Sequence, residues 1–284
     1  MQPGTLLKRA RRVLANQFSR SALRSWRHTA ANRGWHAIPG VAFGRLLHAL
    51  RRPATASGAP DAPTPPAGPH PFDLEYGVDT SGLIWAEQLP SGHRNDIWNT
   101  AYYGTPPSVF HSAITRLPEG LRHSATFIDL GSGKGRALLM AAQAGFPRAV
   151  GVELSPDLHR IATDNAQRYL SQTSGTRPQI ELLQKDAALY TFPDGPVVAY
   201  FFHPFCRPVF ERVIDNLMAS LRQSPRPAAV VYVNPQLQDV LDREAALTRI
   251  WHGPLAMDST DLAADQIGAG QEECAVYLFQ GAAT

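Results

Sequence analysis

The chain has 284 residues and a mass of 31.0 kDa, a length that suits one domain with an extension. Hydrophobic residues make up 44% and charged residues 18%, and no apolar run reaches 18 residues, which excludes wholesale disorder and a spanning helix. The net charge of +3 hides a division: residues 1–52 hold 11 Lys+Arg and no acid, so the rest holds 16 basic and 24 acidic groups.

That basic head implies an anionic counterpart: nucleic acid, a membrane surface, a partner chain or the chain's own acidic body. Residues 5–28 read as an amphipathic helix, with Leu6, Leu7, Ala10, Val13, Leu14 and Phe18 at helical spacings. No secretory signal is present, and the expected location is cytoplasmic, peripheral to a membrane where the head reads a lipid surface. The Arg-rich, acid-free composition is also that of a mitochondrial transit peptide. Residues 53–71 form a linker with seven prolines in 19 positions.

Residues 72–125 read as a cap or lid segment. It contains FDLEYGVDTSG, YYGTPP and a helix over 108–117 with Ser108 as its N-cap. After residue 125 strands and helices alternate. Strands are expected at 126–131, 149–154, 179–184, 197–202, 228–233, 247–252 and 275–280. Helices are expected at 134–145, 156–170, 207–222 and 236–246. Continuous apolar strands alternating with helices imply an α/β fold, a mostly parallel sheet covered on both faces.

The segment Asp129-Leu130-Gly131-Ser132-Gly133-Lys134-Gly135 ends the first of these strands and opens a helix. Its glycines permit a tight turn, and the helix start offers unpaired N–H groups to a ligand; a tight turn without a ligand is the competing reading. Glu153 ends the second strand, where an acid can accept from both ribose hydroxyls, and Asp186 follows the third, where a carboxylate can meet an adenine amine. The G-x-G-x-G spacing departs from the nicotinamide pattern G-x-G-x-x-G and from a P-loop. Asp129 would repel a pyrophosphate and suits an ammonium.

FIDLGSGKGR, VGVELSP and KDAALY together resemble the cofactor motifs of class I S-adenosylmethionine-dependent methyltransferases. With FDLEYGVDTSG and YYGTPP, the wording is similar to a bacterial subgroup related to non-SET protein-lysine methyltransferases. The resemblance implies a doubly wound, Rossmann-like seven-stranded sheet over residues 126–284, ordered 3-2-1-4-5-7-6 with strand 7 antiparallel. It implies S-adenosyl-L-methionine as cofactor. Asp129 and the loop of Gly131, Ser132, Gly133 and Gly135 would hold the methionine moiety, Glu153 the ribose, and Asp186 with Ala187 the adenine.

The fourth strand runs into His203-Pro204-Phe205, where amine-methylating relatives resemble [Asn/Asp/Ser]-Pro-Pro-[Tyr/Phe]. Two readings of His203 stand: a general base near neutral pH, or a positioning or structural group. Phe202, Phe205 and Tyr103 suit an aromatic wall beside a sulfonium, or plain core. Tyr103 and Thr105 belong to a candidate lid, and Asn234 ends the fifth strand near the cleft. The histidines lack metal-ligand spacing and the two cysteines, Cys206 and Cys274, form no zinc set, so no metal is expected; Cys206 reads as a buried small hydrophobe. The expected activity is methyl transfer to a nitrogen or oxygen of a small molecule or a protein side chain. The alternatives are a cofactor-binding module without catalysis and a nicotinamide-dependent oxidoreductase.

Overall fold

A computed structural model describes residues 68–173, 179–265 and 269–280. The basic head and the linker up to residue 67 lie outside the described residues. Within the linker's last residues, His70 is buried and caps α1 (Pro71–Tyr76), so the folded unit begins before Phe72.

A two-stranded hairpin, β1 (Leu83–Ile84) with β2 (Tyr102–Tyr103), follows α1. Next come α2 (Pro107–Ile114) and α3 (Glu119–Ser124). Ser108 does not cap α2. Pro106 holds the cap position and Pro107, whose missing N–H costs nothing there, is the first helical residue. The Ser108 hydroxyl instead donates to Asp261, which also accepts from His70 Nε2 at 2.8 Å.

The sheet is built from β3 (Thr126–Leu130), β4 (Arg148–Glu153), β5 (Gln179–Gln184), β6 (Val197–Phe202), β7 (Ala228–Val233), β8 (Leu247–Ala256) and β9 (Gln271–Phe279). Its order is β5-β4-β3-β6-β7-β9-β8, the expected 3-2-1-4-5-7-6, and β9 runs antiparallel to both neighbours. Helices α4 (Arg136–Gln143) and α5 (Pro156–Gln172) pack with α1 and α2 on one face, around Phe110, Phe127, Leu138 and Tyr200. The opposite face is covered by α6 (Arg207–Gln223) and α7 (Gln238–Asp242), around Phe201, Phe210 and Tyr232. The expected helix over 236–246 shortens to five residues, because Pro235 opens a turn first and the chain is already extended in β8 by Leu247. The strand expected over 247–252 instead continues through Pro254 to Ala256 as the sheet's edge, where a missing donor is tolerated. A last short helix, α8 (Ser259–Ala264), joins β8 to β9.

The cap and the glycine loop are held together by buried charge. Asp73 accepts from the Ser81 hydroxyl at 2.6 Å, from the Thr80 and Ser81 N–H groups at 2.9 and 2.8 Å, and from the Thr80 hydroxyl. Arg136, at the start of α4, lies 3.6 Å from Asp73 and donates to the Thr80 hydroxyl at 2.6 Å. Lys134 donates to Asp79 at 2.7 Å and to the Ser81 carbonyl at 2.8 Å. Asn165 of α5 donates to the carbonyls of both Asp79 and Lys134.

Removing one partner of a buried pair leaves the other charge uncompensated. Asp73→Ala should therefore cost about 3–5 kcal/mol in urea denaturation. Asp79, whose side chain is 58% exposed, should cost about 1 kcal/mol or less as Asp79→Ala. Equal losses would show that burial of the Asp73 pair is not what anchors the cap.

Candidate functional site

Consecutive parallel strands deliver three acids to one open cleft: Asp129 from β3, Glu153 from the end of β4, and Asp186 just after β5. All three are buried. Glu153 accepts from the Gly133 N–H and the Ser155 N–H, each at 2.8 Å, and so braces the loop. Burial raises its pKa while these backbone donors pull it back. Asp186 accepts from the Ala188 N–H at 3.0 Å and from Asn95 Nδ2 at 2.8 Å.

Asp129 is different: among the described residues no hydrogen bond to its carboxylate is found, although it is only 5% exposed. Burial, with the nearby charge of Glu153 adding to it, pushes its pKa up to about 8. An uncompensated buried carboxylate is unfavourable, and a cationic ligand group would relieve it. The acidic lining therefore fits the cationic methionine end of S-adenosylmethionine.

The loop glycines are required by close approach. At Gly131, with φ 90°, an added Cβ would lie 2.3 Å from Pro204 Cβ; at Gly133, with φ 54°, it would lie 2.4 Å from the Tyr102 ring. Gly131, Ser132, Gly133 and Ala187 line the cleft. Gly135 does not; it precedes α4 and faces Ala162 of α5. The Ser132 hydroxyl is buried with no partner among the described residues.

Cap residues complete the cleft. The Tyr102 hydroxyl donates to the Thr80 carbonyl at 2.6 Å, fixing the ring over Gly133. Tyr103 and Thr105 line the cleft, and the Tyr200 hydroxyl donates to Thr105 at 3.3 Å. The Tyr103 ring lies 6.2 Å from that of Phe202, edge to face, and Phe205 lines the same side. Tyr103 donates to Asp265 at 3.2 Å.

The His203 ring does not line the cleft; Pro204 and Phe205 do. Its Nδ1 is 2.8 Å from the Tyr232 hydroxyl, and burial holds the imidazole pKa down at about 4. The carbonyl of His203 accepts from the Thr100 hydroxyl at 2.7 Å, and that of Pro204 accepts from the Thr100 N–H at 3.1 Å. Asn234 also stands outside the cleft and accepts from Gln236 Nε2 at 2.7 Å. His203 and Asn234 both have positive φ, 40° and 51°, immediately before prolines at the ends of paired strands, a strained arrangement. Cys206 is half-buried rather than buried, and its N–H donates to the Trp98 carbonyl at 2.7 Å. Among the described residues no metal-binding group of His, Cys, Asp and Glu is found.

Sequence reasoning missed Asn95 and Thr100, which line the cleft, and gave Tyr102 only as part of the YYGTPP lid. Glu272 of β9 is buried, and its pKa rises to about 7 through burial and the charge of Asp265.

The family model described as a methyltransferase domain matches residues 127–224. The matched stretch, similar in sequence to a methyltransferase domain, runs from β3 through α6 and so contains the glycine loop and the three acids. No curated protein matches the sequence. Among solved structures, magnesium protoporphyrin IX methyltransferase from Synechocystis PCC 6803 with bound SAM is similar at 13% identity and TM-score 0.44, covering 61% of this chain and 78% of that one. Precorrin-6y C5,15-methyltransferase from Geobacter metallireducens GS-15 gives 13%, 0.43, 61% and 87%. Ribosomal protein L11 methylase from Lactobacillus delbrueckii subsp. bulgaricus gives 16%, 0.39, 59% and 76%.

An acid whose pKa rises on folding opposes the folded state once the unfolded chain has ionised it. The stability lost between about pH 4 and pH 8 is the cost of ionising Asp129 in place. Asp129→Asn should raise the melting temperature of the ligand-free protein at pH 8–9 and leave it nearly unchanged at pH 4. A variant less stable than wild type at pH 9 would show that Asp129 has a compensating partner.

Proposed function

We propose that the cleft binds S-adenosyl-L-methionine and directs its methyl group to a nitrogen or oxygen of a small molecule or a protein side chain. The observation that carries this reading is the buried, unpaired Asp129 carboxylate beside the glycine loop. In this assignment Asp129 takes the methionine ammonium, Glu153 the ribose hydroxyls, and Asp186 with the Ala187 backbone the adenine. The bound cofactor supplies an electrophilic methyl group. The chain's part is to orient and to exclude water: Phe202, Phe205 and Tyr103 wall the acceptor side, where aromatic faces attract a cation by about 1 kcal/mol each.

The acceptor is not held as the amine-type motif would hold it. Thr100 donates to the carbonyls of His203 and Pro204. A second reading, a cofactor-binding module without turnover, draws on His203, which stands where the motif has an amine-accepting side chain but whose ring lies outside the cleft. The nicotinamide reading gains no support, since Asp129 would face a pyrophosphate. The basic head is proposed to engage an anionic surface or partner chain outside the cleft.

Two measurements test the reading. The mass of the purified protein under native conditions should show retained cofactor or its demethylated product. Calorimetric affinity for S-adenosylmethionine should then tighten by nearly tenfold from pH 6 to 7 and level off above 8, because pairing a cation with Asp129 releases its proton. A pH-independent affinity would remove the Asp129 assignment. Methyl transfer to extract fractions of the host separates the enzyme from the silent module.

With its pKa held near 4, His203 is neutral throughout the neutral range. His203→Asn should therefore leave intact any rise in methyl-transfer rate that occurs near pH 7. Loss of that limb in the variant would restore His203 as the base.

A further inference from the structure

The N-terminal cap reaches the cleft at Asn95, a residue 5% exposed that lines it beside Asp186. Its Nδ2 donates to Asp186 Oδ2 at 2.8 Å, while Asp186 Oδ1 accepts from the Ala188 N–H at 3.0 Å. A carboxylate has about four lone-pair sites, and these two bonds use one on each oxygen. The torsion that turns a carboxyl group is soft, so one bond alone would leave its plane loosely set. Two donors from opposite sides fix it.

The backbone of Asn95 is fixed in turn. Its N–H donates to His93 Nδ1 at 3.2 Å, and its carbonyl accepts from the Trp98 N–H at 2.9 Å. Three residues after Trp98, Ala101 and then Tyr102 carry the cap over the glycine loop. The Asn95–Asp186 bond therefore ties the cap to the end of β5, a different strand from those that Thr100 and Tyr102 address.

We infer that Asn95 is a specificity-determining residue that orients Asp186 to accept from an exocyclic amine, so that the cleft selects a 6-aminopurine over a 6-oxopurine. This rests on the proposed cofactor reading, in which Asp186 faces the base. An amine at that position donates to the oriented oxygens. A carbonyl there would set an acceptor against a buried carboxylate and leave it without a donor, the kind of mismatch that buried sites reject strongly. Asn95 acts through Asp186, so it is a positioning residue.

The test compares S-adenosylhomocysteine with S-inosylhomocysteine by calorimetry on the full chain. Wild type should prefer the adenine compound by at least about 100-fold. Asn95→Ala should weaken S-adenosylhomocysteine by roughly 10- to 100-fold, the worth of a hydrogen bond to a charged group, and weaken S-inosylhomocysteine much less. The preference should then shrink at least about fivefold. Asn95→Asp keeps the shape and replaces the donor by a second carboxylate, so it should behave as Asn95→Ala or worse even if truncation loosens the cap. Melting temperatures of both variants report folding. Equal losses for the two compounds would make Asn95 a packing residue and overturn the inference, as would an unchanged preference in both variants. A wild type that binds neither compound would instead remove the cofactor reading on which the inference stands.

Discussion

The constraint on which the site depends is the burial of two cations next to the glycine loop. Lys134 and Arg136 are 6% and 5% exposed; both need acceptors there, and Arg136, whose partner is itself buried, also needs its counter-charge. Asp79 and Asp73 supply the charge; Thr80, Ser81 and Thr105 supply acceptors. All of these come from the cap. The loop's positive charge is thus paired within the protein, although Arg136 still lines part of the cleft, as does Lys185. What the cleft presents from its strand ends is Asp129, Glu153 and Asp186, an acidic lining. A loop that looks built for phosphate by its Lys and Arg is electrostatically suited to a cation.

The same pairing fixes where the cap runs. Once residues 73–81 are held against α4 and α5, the chain that follows crosses the glycine loop at Tyr102 and the end of β6 at Thr100. The consequence reaches the chemistry. Each backbone carbonyl after β6 accepts one hydrogen bond from Thr100, which fixes its direction and leaves one lone pair for an incoming donor. Positive φ at His203 and Asn234, each before a proline, turns the chain sharply at the two adjacent strand ends. Such strain persists only where surrounding packing over-determines it. Here the Tyr232 hydroxyl beneath His203 and the Glu273 carbonyl accepting from the Asn234 N–H supply that support.

Much of the sheet was legible in the sequence because its strands are short, mostly continuous apolar runs, separated by helices of clear amphipathic pattern. The order of strands came from resemblance to a family, since no periodicity encodes which strand neighbours which. Asp129, Glu153 and Asp186 were legible because each sits at or within two residues of the carboxyl end of a strand. Asn95 and Thr100 were not. They lie in a segment whose local pattern is only turn residues, and their partners are 91 and 103 positions away. Ser108 misled for a related reason: a serine after a proline is a good cap locally, but Pro106 and Pro107 already satisfy the helix start, and its hydroxyl is taken by Asp261. His203 misled because a sequence gives a side chain's place and not its direction. The left-handed turn sends the ring toward Tyr232.

That direction bears on where a transferred group's proton can go. His203 is neutral above about pH 4 and points away from the cleft, so it offers a basic nitrogen in the wrong place. The register of the sheet puts a second buried titratable group on the cleft's face. Asp129 lies opposite Tyr200, Phe202 is two residues further along β6, Phe202 lies opposite Val233, and Val233 lies opposite Cys274. Glu272, two residues before Cys274 on an antiparallel strand, is therefore on the same face as Asp129 and Phe202, one step beyond the end of β7. It is buried, and its pKa rises to about 7 because burial and Asp265 both disfavour its charge. Tyr103, which lines the cleft, donates to that same Asp265. Glu272 does not line the cleft, so burial and Asp265 set its charge from behind the sheet's antiparallel edge, while the strand end after β6 gives the cleft only Pro204 and Phe205.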